Sequence, residues 1–221
     1  AHSGTPDPLS WDSTDTNPPT GYDGKTAATP SYNWNYGPSP WCEDMPDANT
    51  VMPLSSDKAA LSSQIDGLEA SGATAGALGV AWTWYMLSPN WDTVWTGTAK
   101  PGTYGDLTAK QPSGAPKLRK VAVLMSDGVF NALRGNKDQS PAVVSGHAKQ
   151  ICTNMKATGI EVYSVAFDLD SLPASDRAIA EEVMKNCATD LSHFYATLTV
   201  NELQAAFRDI ALKVSPVRLT Q

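Results

Sequence analysis

Lys120-Val121-Ala122-Val123-Leu124-Met125-Ser126-Asp127-Gly128 is the stretch whose reading sets the fold class. Its apolar residues, Val121 to Met125, run without alternation and stop abruptly at a polar Ser-Asp-Gly. An unbroken apolar run of strand length fits a strand buried on both faces, as in a parallel sheet covered by helices. Ligands of such sheets sit beyond the carboxyl ends of the strands. Asp127 is therefore a functional candidate. The alternative is that Asp127-Gly128 is only turn chemistry ending the strand.

The pattern on either side supports an α/β chain. Ahead of the run, Leu61, Ile65 and Leu68 are spaced as one helical face, with Ser55 or Ser56 as cap. Leu78, Trp82 and Tyr85 repeat that spacing in a second helix that ends before Pro89. Behind the run, Ser140-Pro141 places a cap before a proline suited to a first helical turn. The helix it opens turns Val144, Ala148, Ile151 and Met155 inward and ends at Gly159. Residues 160–167 read as a second strand, 175–186 as a helix with Ile179 and Val183 inward, and 194–196 as a short strand. Thr199-x-x-Glu202 is a capping box for a last helix whose inner face is Leu203, Phe207, Ile210 and Val214. Strands alternating with helices predict a parallel sheet. Three strands are few for a doubly wound sheet, so either others hide in irregular regions or part of the sheet is missing from this chain.

Residues 1–52 form a different composition, rich in Pro, Thr, Asn, Asp, Gly, Trp and Tyr and nearly free of aliphatic residues. Such a segment cannot build a conventional core, and it reads as an irregular arm. The regular part runs over 53–221, interrupted at 88–116 by a Pro- and Gly-rich surface insertion of a length that is often functional. With 221 residues and 41% apolar content, the chain has material for one sizeable core. A formal net charge of -7 argues against nucleic acid, which demands concentrated positive surface, and leaves metal cations as partners. No apolar run approaches a membrane span. The chain opens Ala1-His2-Ser3-Gly4, which fits either a mature end left by cleavage or a fragment end. The cysteines are Cys42, Cys152 and Cys187, with no Cys-x-x-Cys pair to suggest thiolate zinc. Cys152 and Cys187 could form one disulfide in an oxidising compartment; the alternative is buried or free thiols.

Asp127 and Asp168 end successive strands that the intervening helix makes co-directional, so both lie on the carboxyl edge of the sheet. Thr74 sits in Ser71-Gly72-Ala73-Thr74-Ala75-Gly76, a small-residue loop at a helix start, where hydroxyls and amides face a ligand. A hard cation such as Mg²⁺ takes about six oxygens, several from water. Thr74 and Asp127 are suitable donors but too few for a strong site, and Thr74 taken alone reads as an ordinary helix cap.

Several stretches together resemble a known family. They are 71–76, then Ala81-Trp82-Thr83-Trp84-Tyr85-Met86-Leu87-Ser88-Pro89, then Val123-Leu124-Met125-Ser126-Asp127-Gly128. The tail adds Cys152-x-x-Met155-Lys156-x-x-Gly159-Ile160-x-Val162-Tyr163-x-Val165-Ala166-Phe167, Lys185-Asn186-Cys187-Ala188, Ser192-His193-Phe194-Tyr195 and Leu203-x-x-Ala206-Phe207-Arg208-Asp209-Ile210-Ala211. Jointly these look like the von Willebrand factor A (vWA) domain of TadG-like pilus-assembly proteins. The resemblance implies a Rossmann-like domain with a parallel central sheet flanked by helices and a metal-ion-dependent adhesion site. Thr74 matches the family's threonine and Asp127 its later aspartate. The first motif, Asp-x-Ser-x-Ser after a strand, has no counterpart here. Asp12-Ser13-Thr14-Asp15-Thr16 has similar oxygen spacing, but no strand precedes it. The chain therefore reads as the C-terminal part of such a domain, lacking its first strand, with Mg²⁺ bound weakly or not at all by this chain alone. The gap must be filled by the chain's own arm, by a partner or separate fragment, or by exchange with another copy. The implied location, the bacterial cell envelope (periplasm or surface) or the secreted space, predicts a Cys152–Cys187 disulfide.

The function this implies is a non-enzymatic interaction or adhesion domain of a bacterial Tad-type (Flp) pilus assembly system. Its partners would be other envelope or pilus proteins, or the missing part of the same protein. One rival is a carbohydrate-binding surface module, with exposed Trp91 and Trp95 as partner-binding planes; the alternative for these tryptophans is stapling the insertion to the core. A hydrolase is the other rival. Gly72-Ala73-Thr74-Ala75-Gly76 mimics a nucleophile elbow, but after a helix, and His2, His147 and His193 offer no nucleophile–base–acid order.

Overall fold

The computed structural model describes residues 49–69, 74–132 and 140–215. The arm proper, Cys42 and the Asp12–Thr16 spacing lie outside the described residues. The elements in chain order are α1 (Lys58–Asp66), α2 (Gly76–Leu87), the one-turn α3 (Gly105–Thr108), β1 (Val121–Ser126), α4 (Pro141–Ala157), β2 (Glu161–Phe167), α5 (Ala174–Cys187), β3 (Phe194–Thr197) and α6 (Val200–Val214). The fold is mixed α/β: a three-stranded parallel sheet, ordered β1-β2-β3, flanked by helices. Val123 pairs with Tyr163 and Met125 with Val165.

The two sheet faces are covered unequally. Ala122, Val162 and Ala166 pack into the main core with Val80 and Trp84 of α2, Val144, Ile151 and Met155 of α4, and Val183 and Met184 of α5. The Ser164 hydroxyl is buried in this layer and donates to the Met184 carbonyl at 2.7 Å, which satisfies a polar group that burial would otherwise penalise. On the other face, Tyr163, Val165 and Ile210 form a smaller core with α6, flanked by Val121, Leu203 and Val214. Among the described strands, only β2 is closed on both faces. The expectation that β1 is doubly covered is corrected: Val123 is 40% and Met125 50% exposed. Packing explains the difference, because α6 lies over β2 and β3 and β1 is the edge strand among the described residues.

Helix faces were legible where polar and apolar residues segregate. Val144, Ala148, Ile151 and Met155 of α4 are all buried. The helix ends as Gly159 adopts φ 87°, a left-handed conformation that costs glycine little. The Thr199–Glu202 capping box on α6 forms as expected. Three faces differ from expectation. On α6, Phe207 is 40% exposed and Ala206 is buried instead. Helix α2 is apolar all round, so spacing did not single out its inner face; Ala77, Val80, Ala81, Trp84 and Tyr85 are buried, while Leu78 and Trp82 are half-buried. Helix α1 buries nothing, and Ile65 is 65% exposed. Its cap is Asp57, whose carboxylate accepts from the Ala59 and Ala60 amides, in place of Ser55 or Ser56. No helix of the described residues is long and apolar enough to cross a membrane.

The insertion is anchored from beneath. The Lys120 ammonium, buried at the start of β1, donates to the Leu87 carbonyl and to the Gly102 carbonyl at 2.5 Å. It also lies 5.1 Å from the Tyr104 ring centroid, a cation–π distance. Burial pushes its pKa down to about 8.

Candidate functional site at the carboxyl edge of the sheet

The polar end of β1 is shaped by its own side chains. The Ser126 hydroxyl donates to the Gly128 carbonyl at 3.0 Å and accepts from the Gly128 amide at 3.3 Å. This local closure turns the chain immediately after the strand and leaves Asp127 exposed at the bend. The chain then returns over α2. Phe130 is buried in the main core. It fits because Gly76 has no side chain: a Cβ there would lie 2.2 Å from the Phe130 ring.

The next two residues tie this loop to Thr74. The Thr74 amide donates to Asn131 Oδ1 at 2.9 Å, and the Thr74 carbonyl accepts from the Asn131 and Ala132 amides, both at 3.1 Å. Thr74 and the loop that begins at Asp127 are thus one hydrogen-bonded unit on the carboxyl side of the sheet. The sequence pointed to Thr74 and Asp127 but not to Asn131, the residue that joins their segments. An amide side chain shortly after a strand end was the available signal, and it is common to many turns.

Asp168 closes β2 on the same side. Its amide donates to the Thr197 carbonyl at 2.8 Å, and its own carbonyl accepts from the Ser171 hydroxyl at 2.8 Å. Its φ of 49° is left-handed, a conformation Asp tolerates better than most residues. The edge thus presents Asp127 and Asp168 as exposed carboxylates. Among the described residues, no group of three or more His, Cys, Asp or Glu side chains is arranged to hold a metal ion. Thr74 and Asp127 supply two oxygens where Mg²⁺ takes about six ligands, so the donors present do not make a strong site.

Trp91 is corrected as a surface plane. It is 2% exposed and stacks on Tyr85, with centroids 4.2 Å apart and planes at 12°. Trp95 remains half-buried and donates from Nε1 to the Tyr85 carbonyl at 3.0 Å. With Trp82 edge-on to Tyr85, Trp91 and Trp95, these rings fasten the start of the insertion to α2. Aromatic rings prefer such stacked and edge-on arrangements, and the area they bury stabilises the join. Cys152 of α4 and Cys187 of α5 are bonded, with both residues fully buried.

A second polar cluster, at the amino end of the strands, was not foreseen. Glu161 accepts from Arg119 Nη2 at 2.6 Å and from the Tyr163 hydroxyl at 2.7 Å, and lies 3.1 Å from His193 Nε2. Burial acts to raise the Glu161 pKa, but these donors outweigh it and hold the carboxyl below its ordinary value. Burial, and then the adjoining Glu161, push the Tyr163 hydroxyl up to about 12. His193 Nδ1 faces Asp190 at 2.8 Å, and the Ser192 hydroxyl donates to the same Asp190 oxygen at 2.6 Å. Ser, His and Asp therefore meet, but Ser192 and Asp190 sit on the same side of the ring and Glu161 holds the other nitrogen. A nucleophile must instead face the nitrogen opposite the orienting carboxylate, so this is not a hydrolytic triad. Parallel register brings Arg119 and Glu161 together from residues distant in sequence.

A cavity of about 410 Å³ near this end is lined by Leu54, Leu118, Val121 and the stems of Lys100, Arg119 and Lys120. Its cations are already engaged: Lys100 by Asp92 at 3.0 Å, Arg119 by Glu161, and Lys120 by two carbonyls. No family model matches the chain, and no curated protein or solved structure matches it.

Proposed function

We propose that this chain is a non-enzymatic protein–protein interaction domain of a bacterial envelope assembly system of the Tad pilus type. On this reading it is the C-terminal part of a vWA-like domain that lacks its first strand. The observation that carries the reading is the pinned carboxyl edge. Thr74 and the Asp127 loop, the two positions at which the sequence resembles an adhesion site, are hydrogen-bonded into one unit that leaves Asp127 exposed. A partner would engage this edge, with the 88–116 insertion, anchored at the opposite, amino end of β1, as a second surface. A partner carboxylate would add the oxygens that Thr74 and Asp127 lack, so the chain alone binds Mg²⁺ weakly or not at all. The Cys152–Cys187 bond supports an oxidising location, the envelope or the secreted space.

Site-specific photo-crosslinking in producing cells tests this. A photoreactive residue at Asp127 is expected to capture a defined envelope protein. The same probe at Glu182, a highly exposed position on α5, is expected to capture none. Equal capture at both positions, or none at Asp127, refutes the reading. Calorimetric titration showing tight Mg²⁺ binding to the isolated chain refutes the metal part of it.

A further inference from the structure

We propose that two copies of this chain pair antiparallel through the open edges of β1, joining two three-stranded sheets into one across a two-fold axis at Val123. The inference concerns the lateral edge of the sheet: a second copy's β1, in place of a supplied first strand, takes this edge, whatever the compartment.

The backbone identifies the free groups. The Glu161 amide donates to the Lys120 carbonyl at 2.9 Å. Alternation along a parallel ladder then turns the even-numbered residues of β1 toward β2. The N–H and C=O groups of Val121, Val123 and Met125 point to the opposite edge, where β1 has no strand partner among the described residues. The side chains of the same residues lie on the sparsely covered face, where Val123 and Met125 are exposed although their β2 neighbours Tyr163 and Val165 are buried. Edge strands are normally guarded by Lys, Pro, a bulge or an inward charge, and Val121–Ser126 carries none of these.

The sequence of this edge is complementary to itself. With the axis at Val123, Val123 faces its own copy and Val121 faces Met125, while just beyond the strand ends Arg119 of one copy comes near Asp127 at the bend of the other. Directly opposed side chains approach to about 4.5–5.5 Å, so apolar meets apolar within the paired strands, and cation and anion meet at their rims. A slip of the axis by one residue puts Arg119 against Met125 in one direction and Val121 against Asp127 in the other. Charge and hydrophobicity thus select one register. Arg119 leans over β2 to Glu161 and to the Lys213 and Val214 carbonyls at 3.1 Å, contacts that leave guanidinium N–H groups for a further carboxylate. The pairing is isologous, so it closes at a dimer and does not propagate as a fibre.

Analytical ultracentrifugation of the full chain over a concentration series is expected to show a monomer–dimer equilibrium. Val123→Lys places two ammonium groups face to face at the axis and is expected to weaken the dimer by roughly tenfold or more. Ile65→Lys, at the exposed face of α1, is expected to leave it unchanged. In a Cys42→Ser background, Val123→Cys is expected to form a covalent dimer on mild oxidation, because opposed residues of a hydrogen-bonded antiparallel pair lie about 5.5 Å apart at Cα, within disulfide range. Leu212→Cys is expected not to form one. A chain that stays monomeric at every concentration, or a dimer indifferent to Val123→Lys and uncrosslinked at Val123→Cys, overturns the proposal.

Discussion

Gly76→Ala asks whether the Asp127 loop is held by close packing on α2. A Cβ at Gly76 would stand 2.2 Å from the Phe130 ring, at ring atoms close to its attachment and so unable to swing away freely. Two effects oppose each other. Alanine is a better helix former by up to about 1 kcal/mol, and less in a first turn. Overpacking a well-filled site costs about 1–3 kcal/mol, and expelling the ring altogether approaches the roughly 3–5 kcal/mol of a Phe→Ala truncation. Steric overlap wins, and the expected net loss is about 1–3 kcal/mol, read as a fall in the urea midpoint at unchanged slope. A loss of 2 kcal/mol corresponds to about 4–8 °C in Tm for a domain of this size. The sharper test is the sign in a Phe130→Ala background. There the overlap is gone, and Gly76→Ala is expected to be neutral or to stabilise by up to about 1 kcal/mol. A Gly76→Ala cost that is the same in both backgrounds, or absent from the parent, would refute the claim that Gly76 exists to seat Phe130.

Two further outcomes are expected. Cys152→Ala/Cys187→Ala removes a crosslink spanning 35 residues, for which chain entropy predicts a loss of about 4 kcal/mol; equal stability of the oxidised protein and the double variant would contradict it. Lys120 has a folded pKa near 8, below its unfolded value, so between these pH values the unfolded chain binds more protons. Its contribution therefore strengthens as pH rises above about 8 and is lost as pH falls through that value. Denaturation between about pH 8 and 9.5, below the window in which the raised Tyr163 and Tyr195 groups intervene, is expected to show a positive slope that Lys120→Met reduces, leaving the share of Lys156, whose pKa burial also lowers; an unchanged slope in the variant would assign it elsewhere.

Much of the fold is legible residue by residue. Strand β2, helix α4, the Thr199 capping box and the parallel order follow from apolar runs, spacing and caps, all of them local signals. The inward face of α2 was not legible, because a helix apolar on every side carries no directional signal. At the candidate site, Asp127 and Thr74 stood out as a strand end and a helix start. Asn131, which joins them, did not, because its role depends on where the chain returns after Phe130.

β1 shows the division most clearly. Its unbroken apolar run already specified a strand of a parallel sheet, since an extended backbone and hydrophobic side chains are encoded within a few consecutive residues. Whether both of its faces are buried is a matter of neighbours, and α6 packs over β2 and β3 instead. The exposed pair Val123 and Met125, the buried stacking of Trp91, and the meeting of Arg119 with Glu161 all depend on segments far apart in the chain. Such contacts follow from how the layers cross, a geometry that no local spacing of residues records.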